Sequence, residues 1–154
     1  MFHAVYGMEV VIARIFNTYG PGMPRFVVLD FLKKLRTNDQ VLEILGDGGQ
    51  LRDFNYVEDT VAGLMLLALR GDSGASYNIA SGGSHTVTDV AMMILKLRGL
   101  DEQTELRFTG KSWPGDAQRW IVDITRARSI GYAPKVSLND GLARVVTWFD
   151  NTNK

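Results

Sequence analysis

The stretch Gly46-Asp-Gly-Gly-Gln-Leu-Arg-Asp-Phe-Asn-Tyr-Val-Glu-Asp59 decides the architecture. Just before it, Val41 to Leu45 reads as a short strand, which Gly46-Asp-Gly-Gly49 stops. Arg52 to Val57 reads as a second extended segment. Beyond it Val61, Leu64, Met65, Ala68 and Leu69 predict the apolar face of a helix, with Gly71 as its stop. A strand, a glycine turn, an extended segment and a helix in direct succession indicate an α/β protein.

The flanking sequence continues the pattern. Val10-Val-Ile-Ala-Arg-Ile-Phe16 is apolar on both faces, which predicts a strand buried between helix layers. It runs into a turn cluster, Asn17-Thr-Tyr-Gly-Pro-Gly22. Phe26, Leu29, Leu32 and Leu35 then recur at helical spacing. Downstream, Tyr77 to Ala80 predicts a strand. Thr86-Val-Thr-Asp89 has the form of a capping box and opens a helix carrying Val90, Ile94 and Leu97 and ending at Gly99. Glu105 to Thr109 predicts another strand, and Lys111 to Gly115 a loop. Asp123 is placed to cap a short helix ending at Gly131. Ser137-Leu-Asn-Asp140 is placed to cap a last helix with Leu142, Val145, Val146 and Phe149 facing inward. No repeat, linker or low-complexity run interrupts residues 1–154, which read as one domain.

Composition narrows the function. The 154 residues hold 17 Lys+Arg against 17 Asp+Glu, so the chain lacks the basic excess of a general nucleic-acid binder. There is no cysteine, which removes disulfides and thiolate metal sites, and the only histidines are His3 and His85, too few for a His-rich metal site. His85 precedes the capping Thr86 and reads as a surface residue. The longest apolar stretch, Val61 to Leu69, contains a glycine and is far short of the roughly 20 residues of a membrane span. The first residues, MFHAVYGMEV, lack the basic and apolar regions of a secretory leader, so the sequence predicts a cytoplasmic protein without membrane attachment.

Several chemical motifs are rejected on their spacing. Gly46-Asp-Gly48-Gly49-Gln-Leu51 has the wrong third position for a dinucleotide fingerprint and leads into an extended segment instead of a helix. No Walker loop, His-Glu-x-x-His or Gly-x-Ser-x-Gly occurs. Asp53 and Asp59 lie near turns, where solvated or capping roles are expected over acid–base chemistry.

Three segments taken in order carry a resemblance: Arg14-Ile-Phe-Asn-Thr-Tyr-Gly-Pro21, then Gly46 to Asp59, then Pro114-Gly-Asp-Ala-Gln-Arg-Trp-Ile-Val-Asp123. In this combination the chain resembles the extended short-chain dehydrogenases/reductases, specifically their NAD-dependent nucleotide-sugar epimerases, 4,6-dehydratases and decarboxylases, from about Val5 to Phe149. The resemblance implies a Rossmann-like α/β fold represented by its C-terminal, substrate-binding part, with the N-terminal NAD-binding part absent. It also implies a catalytic Tyr-x-x-x-Lys pair upstream of Val10–Phe16. Tyr6, Tyr19, Tyr56, Tyr77 and Tyr132 are followed four residues on by Val10, Met23, Thr60, Ser81 and Val136, so none supplies that pair.

The same resemblance implies the site. Asn17 is expected near the diphosphate or sugar, the alternative being a turn Asn bonded to its own backbone. Arg52 is expected to pair phosphate oxygens with its planar guanidinium. Leu42, Glu43, Ile44 and Leu45 are expected to set backbone groups against the base. Phe26 and Val27 start a helix that borders the same pocket in the family, with core packing as the alternative. Asp116 and Arg119, in Pro-Gly-Asp-x-x-Arg, are expected to close over ribose and diphosphate. Trp113 stands where many relatives place an arginine, and either stacks on a ring or seals the core.

These readings predict a nucleoside-diphosphate-sugar-binding portion of an epimerase or dehydratase, with no catalytic residue and no NAD bound by this chain alone. The alternative is a naturally truncated, non-catalytic binding or assembly module. Self-association to a homodimer is expected through the edge of Val10–Phe16, unless residues 1–7 fold back to shield it.

Overall fold

The capping box forms as its spacing predicts. Thr86 Oγ1 accepts from the Asp89 backbone N–H at 2.9 Å, and Asp89 Oδ2 accepts from the Thr86 N–H at 2.8 Å. These bonds satisfy the first orphan donors of helix α4 (Val87–Arg98), which ends at Gly99 in the left-handed conformation. The last helix, α6 (Leu138–Thr152), is opened by Ser137, whose Oγ accepts from the Asp140 N–H at 3.1 Å and donates to Asp140 Oδ2 at 2.7 Å. These details come from a computed structural model, which describes residues 2–111 and 115–152.

The remaining elements are α1 (Phe2–Tyr6), β1 (Ile12–Ile15), β2 (Thr18–Tyr19), α2 (Val27–Thr37), β3 (Val41–Ile44), β4 (Leu51–Arg52), β5 (Asn55–Tyr56), α3 (Val57–Arg70), β6 (Ser76–Ile79), β7 (His85–Thr86), β8 (Glu105–Phe108) and α5 (Thr125–Ser129). Strands pair two by two among the described residues. β1–β6, β2–β5 and β3–β8 are parallel and β4–β7 antiparallel. Parallel pairs need helical crossovers, so the strand–helix alternation read from the sequence is the one observed.

Two apolar clusters hold the elements. The larger packs α2, α4 and α6 over β3, with Leu32, Leu42, Ile44, Ile94 and Leu142 fully enclosed. The smaller packs α3 and α5 against β6 around Tyr77, Ile79 and Tyr132. Between them lies a buried polar seam. Asn55 donates to Thr60 Oγ1 at 2.8 Å and to Tyr132 Oη at 3.1 Å, while Tyr132 Oη donates to the Ala80 carbonyl.

Three expectations are corrected. The face predicted for α3 points outward: Val61, Met65 and Leu69 are exposed, and Asp59, Thr60, Gly63 and Leu67 are buried. This helix is apolar almost all round, so periodicity has no contrast to read. Close approach decides instead, because a Cβ at Gly63 would lie 2.9 Å from Tyr132 and 3.0 Å from Ile79. Second, β1 is not buried between layers. Ile12 and Ile15 are 49% and 53% exposed, since β6 is its only strand neighbour among the described residues and α3 covers one face. Helix α1 docks on the 73–74 turn through the His3–Ser73 hydrogen bond and leaves those isoleucines uncovered. Third, Phe26 does not join Leu29, Leu32 and Leu35 in the core. It is the N-cap of α2, exposed, with φ 84° and ψ 169°.

Candidate functional site

A cleft of about 850 Å³ opens between the β1–β2 junction, the start of α2, the end of β3, and β4. That volume suits a ligand of nucleotide size. Its wall is set by β4. The Leu51 N–H donates to the Gln118 carbonyl at 2.9 Å and the Trp120 N–H donates to the Leu51 carbonyl at 3.1 Å, so residues 118–120 run alongside β4 as an added extended segment. On its other side β4 pairs with β7, Arg52 opposite His85.

Arg52 is fastened at this wall. Its Nη1 donates to the carbonyls of Leu51 at 2.8 Å and Ala117 at 2.6 Å, and its Nη2 donates to Asp116 Oδ1. The guanidinium lies 5.4 Å from the Trp120 ring centroid, in cation–π range. Arg52 side-chain exposure is 14%, so the cation is held largely out of water. An arginine has five N–H donors and these bonds use three, which leaves two for an anion.

Of the residues expected from the sequence, Asn17, Leu45, Arg52 and Asp116 line the cleft together. Asn17 Nδ2 donates to the Asp53 carbonyl at 3.1 Å, so it bonds the backbone of a distant segment and not its own turn. Leu42 and Ile44 are buried in the core and Glu43 is exposed on the other face, as alternation along a strand dictates. What β3 offers the cleft is backbone on the edge away from β8, where the Glu43 carbonyl already accepts from Lys34 at 3.0 Å. Arg119 is exposed and outside the cleft lining, because residues 118–120 are extended and Trp120 takes the inward position. Trp113 lies outside the described residues. Phe26 and Val27 border the cleft, and Phe26 stands at its mouth with Arg25 5.0 Å from its ring centroid.

Sequence reasoning missed Trp120 and Gln50. The period-two alternation of an extended 118–120 segment is the signal that would have found Trp120. Asp53 and Asp59 are buried and not solvated. Asp53 accepts from the Ser81 and Gly82 N–H groups at 2.7 Å each, and Asp59 from those of Lys135 and Val136 at 2.9 Å each. Both carboxylates hold loops in place, in line with the capping role. His85 is half-buried on β7, and no cluster of metal-ligating side chains occurs among the described residues. Burial pushes the Tyr132 phenol up to about 12 and raises that of Tyr19 as well, so both stay protonated near neutral pH.

Comparisons with known proteins agree with this architecture. A family model described as GDP-mannose 4,6 dehydratase matches residues 1–145. The chain is 33% identical over 153 residues to a dTDP-glucose 4,6-dehydratase of Streptomyces griseus, covering 96% of this chain and 44% of that protein. It is 36% identical over 145 residues to UDP-glucuronic acid decarboxylase 5 of Arabidopsis thaliana, covering 92% of this chain and 41% of that protein. Among solved structures, UDP-glucose 4-epimerase of Thermotoga maritima with UDP-glucose superposes with a TM-score of 0.86 at 30% identity, covering 99% of this chain and 50% of that one. UDP-glucuronic acid 4-epimerase of Bacillus cereus, in complex with UDP-glucuronic acid and NAD, superposes with a TM-score of 0.85 at 31% identity, covering 98% and 48%. The chain therefore belongs to the NAD-dependent nucleotide-sugar epimerase/dehydratase family of extended short-chain dehydrogenases/reductases. It spans about half the length of these relatives, and its α/β fold matches part of theirs. No helix among the described residues is long and apolar enough to cross a membrane.

Proposed function

We propose that this chain is the C-terminal, substrate-gripping part of a nucleotide-sugar epimerase, dehydratase or decarboxylase, and that the cleft takes the nucleoside diphosphate of its substrate. The observation that carries this reading is Arg52: a nearly buried guanidinium at a cleft wall, stacked near Trp120, with two donors left over. A diphosphate matches that fork in shape and charge. Asp116 orients the guanidinium, and Asn17 stands on the same wall. The free edge of β3 near Leu45 is the place for a base, which backbone groups can read without regard to side-chain identity. Arg119 has no part in this grip.

NAD chemistry would belong to the complete protein. The Gly46–Gly49 turn does not suit a dinucleotide diphosphate, since a Cβ at Gly48 would run into Thr88 and Phe108, and the turn leads into β4 instead of a helix. The buried, protonated Tyr19 and Tyr132 do not fit a general base. The chain by itself accordingly binds without turnover. The exposed edge of β1, together with Val61 and Met65 on α3, supports self-association into a homodimer when nothing else covers it.

Ligand-observed NMR with UDP-, dTDP- and GDP-sugars tests the reading. At least one should bind the wild-type chain, and Arg52→Ala should lose the response. Equal binding by Arg52→Ala removes the diphosphate from this wall.

A further inference from the structure

Helix α2 starts unlike α3 and α4. The N-cap residues of those two helices are extended, Tyr56 with φ −69° and ψ 145° and Thr86 with φ −74° and ψ 158°. Phe26, the N-cap of α2, has a similar ψ of 169° but a φ of 84°. That combination belongs to glycine, because a Cβ crowds the backbone there. Phe26 is the one non-glycine residue with positive φ among the described residues, and it stands at the cleft. Strain of this kind persists at ligand clamps and switch segments.

Met23, Pro24 and Arg25 lie between two residues of positive φ, Gly22 at 82° and Phe26. Gly20 is packed on α3 so closely that a Cβ would lie 2.5 Å from Val57, whereas a Cβ at Gly22 would meet open space. The chain is therefore pinned at Gly20 and free to turn at Gly22. Between the two turns Met23 lines the cleft, while Pro24 and Arg25 are exposed. Two hydrogen bonds hold this strap among the described residues, from the Met23 N–H to the Gly20 carbonyl at 3.3 Å and from the Asp30 N–H to the Phe26 carbonyl at 3.0 Å. The Arg25 guanidinium has no ion pair there and rests 5.0 Å from the centroid of the Phe26 ring.

Release of the strain needs one large rotation. Turning φ of Phe26 by roughly 150°, to the value held by Tyr56 and Thr86, gives an ordinary extended N-cap. The Phe26 carbonyl and its bond to Asp30 lie beyond the rotating N–Cα bond, so α2 stays in place and residues 23–25 move.

We propose that Met23–Phe26 is a strap poised to close on the occupied cleft: Phe26 turns to the extended N-cap conformation, Gly22 takes up the compensating turn, and Arg25 leaves the Phe26 ring for the anionic ligand. The free chain holds the strain and the bound chain is rid of it, so the strain favours binding. This rests on the cleft binding a nucleoside diphosphate at all.

The test separates the ring from the backbone. Phe26→Ala and Phe26→Gly both lose the ring, and only the alanine keeps the strain. The alanine variant should melt about 3 °C below the glycine variant. In NMR titrations with UDP and GDP it should nevertheless bind the tighter of the two about fivefold more strongly than the glycine variant does, because binding releases its strain. A backbone that stays put on binding gives a ratio of one, however strained it is. Arg25→Gln should weaken binding about threefold at low salt and less at high salt. Circular dichroism confirms folding of each variant. Equal affinities of the two Phe26 variants, loss of binding in both alike, or an alanine variant as stable as the glycine variant overturns the strap. Unchanged affinity in Arg25→Gln overturns the direction in which it closes. No binding of either UDP or GDP to the wild type overturns the nucleoside-diphosphate reading beneath it.

Discussion

Arg52 and Asp116, 64 residues apart in the chain, meet as an ion pair on the wall of the cleft. The pair sets the guanidinium plane, and it also places a negative charge beside the expected phosphates. Asp116→Asn keeps an oxygen for Arg52 and removes that charge. It should therefore tighten nucleoside diphosphate binding by a few-fold at low salt, with a smaller effect at high salt. Isothermal titration at two ionic strengths reads this. Weaker binding by Asp116→Asn would instead mean that the carboxylate itself contacts the ligand.

Phe26 holds a backbone conformation that glycine tolerates and phenylalanine does not, a strain of about 1–3 kcal/mol. The residue is 60% exposed, so truncation forfeits little burial. Phe26→Gly should leave the thermal midpoint unchanged or higher, yet weaken ligand binding by removing an apolar wall at the cleft mouth. A lower midpoint together with unaltered affinity would contradict both parts.

The capping box of α4 gives a prediction with a pH signature. Hydrogen bonds from the Thr86 side chain and backbone hold the Asp89 carboxyl below its usual range. A pKa depressed in the folded state stabilises above the unfolded value of about 3.9, and that contribution is lost as pH falls through the folded value. Asp89→Ala should cost about 1 kcal/mol at pH 7, as caps of this kind do. The gap to wild type should narrow below pH 4. Urea midpoints at pH 7 and pH 3 check it, and a gap that widens in acid would refute the assignment.

Self-association has a specific address. The Ile12 and Phe16 N–H groups donate to the Ala75 and Ile79 carbonyls, on the β6 side, which leaves the N–H groups of Ala13 and Ile15 on the opposite edge. Ile15→Lys puts a charge on that edge without disturbing the β6 pairing. Sedimentation equilibrium should find a dimer for the wild-type chain at tens of micromolar and a monomer for Ile15→Lys. A wild-type chain that stays monomeric at high micromolar concentration disproves edge pairing.

What the sequence determined by itself is local. The Thr86–Asp89 and Ser137–Asp140 caps, the strands at Val41–Ile44 and Glu105–Phe108, and the burial of Leu142, Val145 and Phe149 follow from interactions within a few residues or from a clear helical stripe. The order of the three motif segments was equally legible, and with it the family. The tertiary structure alone decided which side of α3 is buried, because an all-round apolar helix is oriented by where Gly63 lets Tyr132 and Ile79 approach. It alone buried Asp53 and Asp59, whose partners Ser81, Gly82, Lys135 and Val136 are 28 to 77 residues away. The same holds for the exchange of Arg119 for Trp120 at the cleft. Each depends on which distant backbone groups arrive beside β4, and residue type and spacing do not encode that arrival locally.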